Sequence, residues 1–116
     1  MTPEAAAKTD ALIASLWSKN LPKTIERLDL LDRFAQAAAF GHLSEPDRQE
    51  ATSISHKFAG SLGMYGYQRG TEIAMQLEHL FRNLPPAQPD LITPLTVQLR
   101  QSIFADTQEP KVERTQ

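Results

Sequence analysis

The sequence predicts an all-α fold, an antiparallel four-helix bundle with an additional N-terminal helix. Three observations lead there. Apolar residues recur at steps of three and four over several segments. No stretch alternates apolar with polar residues as a half-buried strand does. Helix-start and helix-stop residues punctuate the chain at intervals that leave only short connections, the pattern of antiparallel neighbours. At 116 residues the chain makes one domain with a modest core. The bundle is expected over 1–106, and 107–116, polar with a single valine, as a disordered tail.

The first helix is expected over 3–18, where Pro3 and Glu4 suit a first turn. Leu12, Ile13, Leu16 and Trp17 form its stripe, with Trp17 a core or rim anchor. Lys19, Asn20 and Leu21 read as an interruption, and Pro22, lacking an N–H, as the start of a second helix. Ile25, Leu28, Leu31, Ala35 and Ala39 carry that helix to Gly41, its stop. Ser44-Glu45-Pro46-Asp47 is a helix start with Ser44 as N-cap, and this helix runs to about Leu62. Gly63-Met64-Tyr65-Gly66 is a turn. The next helix spans 67–84 through Gly70, Ile73, Ala74, Leu77, Leu80 and Phe81, and the proline-rich run from Pro85 to Pro89 breaks it. The last helix follows Asp90 or Thr93, its regular start placed at Thr93 as N-cap ahead of Pro94, and its stripe is Ile92, Leu95, Leu99 and Ile103.

Composition removes several classes of function. Twelve basic against fourteen acidic residues, a net charge of −2, argue against a nucleic-acid or anionic-membrane surface. Without cysteine there is no disulfide scaffold and no thiol catalysis, which suits a reducing cytoplasm. No apolar run reaches the ~18 residues of a membrane span, and the N-terminus lacks a signal-peptide layout. His42, His56 and His79 show no ligand pairing of the zinc or di-iron kind, and no phosphate-cradling glycine loop is present.

One stretch remains, Ser53 to Gly63. Ala51, Ile54, Phe58 and Leu62 make its apolar stripe, and His56 lies roughly 155° from the middle of it, facing away from the core. Thr52, Ala59, Gly60 and Gly63 surround the histidine with small groups. A glycine inside a helix costs about 1 kcal/mol relative to alanine, so Gly60 calls for a reason. One reason is clearance, so that a bulky reagent or another backbone can approach the imidazole.

His56-Lys57-Phe58-Ala59-Gly60-Ser61, followed by Gly63 and Gly66, resembles the phosphoacceptor segment of histidine-containing phosphotransfer (HPt) domains. The resemblance implies that His56 is the phosphorylated residue, that Gly60 clears space for the phosphoryl group, and that Ser61 is the small polar residue after it. The family's lysine three residues after the histidine is Ala59 here, and the adjacent Lys57 is turned about 100° away round the helix. Leu77-Glu78 resembles the apolar–Glu/Gln pair that ends the family's next helix. By that resemblance Glu78 accepts the Nδ1 proton of His56 and leaves Nε2 as the nucleophile. Read alone, Glu78 sits about 105° from the apolar centre of its helix, where it can also pair with Arg82 at i+4.

The function expected from this is that of a phosphorelay intermediate without an ATP site of its own. His56 takes a phosphoryl group from a receiver-domain aspartyl phosphate or a kinase and hands it to a response regulator, with Mg²⁺ on the receiver and no cofactor in this chain. Lys57, Ala59, Gly60, Gly63, Met64, Tyr65 and Arg82 are the expected partner contacts, and the protein is expected to be a cytoplasmic monomer. The alternative is a docking or scaffold domain with an inactive surface of the same shape, which Ala59 favours.

Overall fold

The computed structural model describes residues 2–83 and 89–108. Within them are four α-helices, α1 (Pro3–Ala39), α2 (Glu45–Ser61), α3 (Gln68–Arg82) and α4 (Ile92–Gln108), with a 3₁₀ turn over Pro89–Leu91 leading into α4. No described residue lies in a strand, so the all-α expectation holds. Residues 84–88, which hold most of the predicted break, and 109–116 of the expected tail lie outside the described residues, while Thr107 and Gln108 belong to α4 rather than to the tail.

The helix boundaries follow local chemistry. Thr2 caps α1, its Oγ1 accepting from the Ala5 amide at 3.1 Å. At the other end Gly41 takes φ +74. There the His42 amide donates to Ala37 O at 2.8 Å and the Gly41 amide to Ala38 O at 3.1 Å, the paired bonds of a glycine-terminated helix. Ser44 caps α2 by accepting from the Asp47 amide at 3.3 Å. After Leu62, successive i→i+3 bonds from Met64, Tyr65 and Gly66 tighten the chain into the turn, and the left-handed residue is Gly66 at φ +90 rather than Gly63.

Two boundaries differ from those the sequence suggests. The separate N-terminal helix and the helix starting at Pro22 are one helix, and Pro22 sits inside it. Pro22 and Ser18 are both exposed, so the Ser18 carbonyl that loses its partner faces water. On the opposite side Trp17 is held between Tyr65 and Tyr67, with ring centroids 5.0 Å from each, while Thr24 and Leu28 are buried just beyond. Packing on both sides of the proline thus keeps the helix in line. The second difference is at α4, which begins at Ile92 rather than Thr93. Ile92 is fully buried and draws the start forward, and Pro94 lies in the first turn, where amides have no intrahelical partner anyway.

One core joins the helices. Leu28, Leu31, Phe34, Ala35 and Ala38 of α1 meet Ile54, Phe58 and Leu62 of the α2 segment, Ile73, Leu77 and Phe81 of α3, and Ile92, Leu99 and Ile103 of α4. Gly70 lets α3 close on its neighbours: a Cβ there would lie 3.0 Å from Leu62 Cδ1 and 3.1 Å from Ser102 Oγ. Arg100 of α4 reaches Asp29 at 2.9 Å and Asp32 at 2.6 Å on α1. No helix of the described residues is long and apolar enough to cross a membrane.

Two substitutions check this reading by urea denaturation. Gly70→Val is expected to cost about 1–3 kcal/mol, because buried Leu62 has nowhere to go. Pro22→Ala is expected to stabilise by about 2 kcal/mol, because it restores a helical bond at an exposed position that is already helical.

Candidate functional site

The site is built on α2 and α3, which pack antiparallel as the most extensive helix pair of the fold. Ala51, Ile54, Ser55 and Phe58 turn one face of α2 inward, leaving His56 outside with its side chain 73% exposed. Gly70, Ile73, Ala74, Leu77 and Phe81 do the same for α3, so Glu78 falls at the edge of the buried face. There its side chain is 14% exposed, and its Oε2 lies 3.0 Å from His56 Nδ1. A carboxylate offers only lone pairs. A neutral imidazole in this contact therefore carries its proton on Nδ1, donates it to Glu78, and leaves the Nε2 lone pair facing solvent.

The same Glu78 oxygen also accepts from Arg82 Nη2. The i+4 pair and the contact to the histidine are thus simultaneous, and one carboxylate serves both. Arg82 is itself mostly exposed.

What holds the two helices in this register lies one end away from the histidine. Arg48, in the first turns of α2, donates through Nη1 to the Phe81 and Arg82 carbonyls at 3.1 and 3.2 Å, closing the C-terminus of α3. Its Nε donates to Glu45 Oε1 at 2.9 Å, and its Nη2 to Glu45 Oε2. Hydrogen bonds from Arg48 and then Gln49 hold the Glu45 carboxyl below the usual carboxylate range. At the other end Gly63 lies against Thr71, where a Cβ would meet Thr71 Oγ1 at 3.3 Å.

Gly60 is exposed, and a Cβ placed on it meets nothing within 4 Å. Helix packing therefore does not explain this glycine, and the space beside His56 is open. Ala59 is half-buried against the core, Met64 is 56% exposed, and Lys57 is exposed one residue, hence about 100°, round the helix from His56. Tyr65 is turned to α1 instead, its ring tilted against Trp17 with centroids 5.0 Å apart and its hydroxyl 3.5 Å from Asn20 Nδ2. Around the histidine the structure gathers Glu78, Arg82, Ala59 and Gly60, while Gly63 lies beyond the end of α2 against Thr71 and Tyr65 holds α1.

One exposed apolar residue of α3 escapes sequence reasoning. His56 stands opposite Glu78 and Gly63 lies against Thr71, and on the outer side of α3 Met75 lines an open groove with Gln76, His79, Leu80, Leu91 and Leu95. Met75 is 58% exposed. Its place off the buried stripe of α3 was the available signal.

Known proteins resemble this chain over most of its length. Protein RcaC of Microchaete diplosiphon is 26% identical over 96 residues, covering 80% of this chain and 15% of that protein. The chain thus spans only a small part of the relative's length. No solved structure gives a match. The model of the Hpt domain matches residues 18–105, beginning where α1 comes down onto the bundle at Trp17 and ending in α4. A helical bundle presenting an exposed histidine steadied by a carboxylate, matched over most of its length, belongs to the Hpt domain family, the phosphotransfer domains of phosphorelays.

Proposed function

We propose that His56 is the phosphoacceptor of this domain, taking a phosphoryl group from the aspartyl phosphate of a receiver domain and passing it to another receiver. The observation that carries the proposal is the 3.0 Å contact between Glu78 and Nδ1 on a ring that is otherwise mostly in solvent. In the forward step the Nε2 lone pair attacks phosphorus, the P–O bond to the aspartate breaks, and the aspartate leaves as a carboxylate. No proton needs to move, because Nε2 carries none. The ring, now bonded to phosphorus and still protonated on Nδ1, bears a positive charge that Glu78 faces directly. Transfer onward reverses these bonds and returns a neutral imidazole.

Phosphoryl transfer runs through a loose transition state in which alignment and charge stabilisation do most of the work. This chain contributes a nucleophile of set tautomer, a rigid α2–α3 platform, and open space at Gly60. Mg²⁺ and the stabilisation of the equatorial oxygens belong to the receiver, so the domain needs no ATP site. Lys57, Ala59, Gly63 and Met64 offer a rim with a single charge for that partner. A scaffold role with an inert histidine draws on Ala59, which leaves the place of the family's lysine uncharged.

The deciding experiment is phosphate uptake from phosphoramidate and from a phosphorylated receiver, followed by intact mass for the wild type and His56→Gln. One acid-labile, alkali-stable phosphate on the wild type and none on the variant is expected. A folded wild type that takes up no phosphate from either donor points to the scaffold role. Glu78→Ala is expected to slow uptake by roughly ten- to a hundredfold, since the ring loses its orientation. Gly60→Ala separates clearance from folding: it should gain up to about 1 kcal/mol in urea stability. Receiver-dependent transfer should slow in that variant, while uptake from small phosphoramidate stays unchanged.

A further inference from the structure

Glu78 poses a difficulty for a phosphohistidine. The carboxylate that orients the ring also places a negative charge within one side chain of a dianionic phosphoryl group, and like charges at such range repel. The position where the family carries a lysine is Ala59, so no cation comes from there. Lys57 is turned away round α2, and Arg48 is occupied by Glu45 and the two α3 carbonyls. Arg82 is the cation in contact with the Glu78 oxygen that meets His56.

We propose that Arg82 is the charge-balancing residue of the phosphorylated state: by neutralising Glu78 it lets that carboxylate orient His56 without repelling the phosphoryl group, and so sets the lifetime of the phosphohistidine. The proposal rests on His56 being the phosphoacceptor. Arg82 acts through Glu78 and is a positioning residue; it breaks and forms no bond. The reaction it restrains is hydrolysis. Water attacks phosphorus, the P–N bond breaks with its electrons returning to Nε2, and the water proton leaves with inorganic phosphate. With Arg82 gone, the phosphorylated state loses the cation that balances Glu78 and the same bond breaks more readily. One charge now does two jobs, which allows Ala59 to be uncharged in a working domain.

The test is a double-mutant cycle read by intact mass. Wild type, Arg82→Ala, Arg82→Lys, Glu78→Gln and the double variant Glu78→Gln/Arg82→Ala are loaded with phosphoramidate, freed of donor, and followed as the phosphate is lost. Circular dichroism confirms that each is folded. Arg82→Ala is expected to shorten the lifetime about fivefold, the size of one screened unit-charge interaction at contact distance. Arg82→Lys should retain most of the wild-type lifetime. In the Glu78→Gln background, where there is no charge left to balance, removing Arg82 should change the lifetime little. An unchanged lifetime in Arg82→Ala overturns the proposal. So does an equal loss in both backgrounds, because Arg82 would then act on the phosphoryl group directly. Failure of wild type to load on His56 refutes the phosphoacceptor assignment instead, and is seen before any lifetime is measured.

Discussion

The antiparallel register of α2 against α3 is the constraint on which the rest depends. His56 and Glu78 sit 22 positions apart in the chain and meet at 3.0 Å only because each helix buries the right face at the right height. A shift of one residue along either helix turns its side chains by about 100° and would carry the carboxylate off the imidazole. Register is set by shape in the middle and by hydrogen bonds at one end. Phe58 and Leu62 interlock with Ile73, Leu77 and Phe81, and Gly70 admits Leu62 at a distance no larger residue allows. Arg48 then ties the start of α2 to the end of α3 through two carbonyls.

Because register is secured away from the histidine, the exposed face is free to be shaped for chemistry. It is smooth, with Ala59 and Gly60 on α2 and Gly63 in the turn after it, and its charges are Glu78, Arg82 and, about 100° round α2, Lys57. Glu78 is unusual among the charged groups in being mostly buried while serving two partners from one oxygen. That arrangement costs little, since both partners are donors and the carboxylate stays hydrogen-bonded. It also keeps the ring proton on Nδ1 with no further group, which suits a phosphotransfer domain of a phosphorelay.

The remaining helices support this pair. α1 crosses both through Leu28, Leu31 and Phe34, and α4 closes the other side through Leu99 and Ile103. The N-terminal part of α1 runs past the family's boundary and is steadied where Trp17 meets Tyr65 and Tyr67. The turn between α2 and α3 therefore has two uses. Gly66 reverses the chain, and the tyrosines on either side of it anchor α1, which is why Tyr65 does not face the histidine.

The sequence by itself determined where the chain is helical, where most helices stop and start, and which way His56 points. Ser44, Gly41 and the apolar stripe around Phe58 act within a turn or two of themselves, so their effect is written in local spacing. His56 was legible as an outward-facing residue among small neighbours for the same reason, and Glu78 only by likeness to a family. The tertiary structure decided what depends on two helices at once. It ran α1 as one helix through Pro22, because the packing of Trp17 on Tyr65 and Tyr67 outweighed one lost bond at a wetted position. It brought Glu78 and not another acid to Nδ1 and made Arg48 the clasp of the pair. Periodicity within a helix fixes an azimuth but leaves its height against a neighbour free, and only the interlocking of buried side chains settles that height.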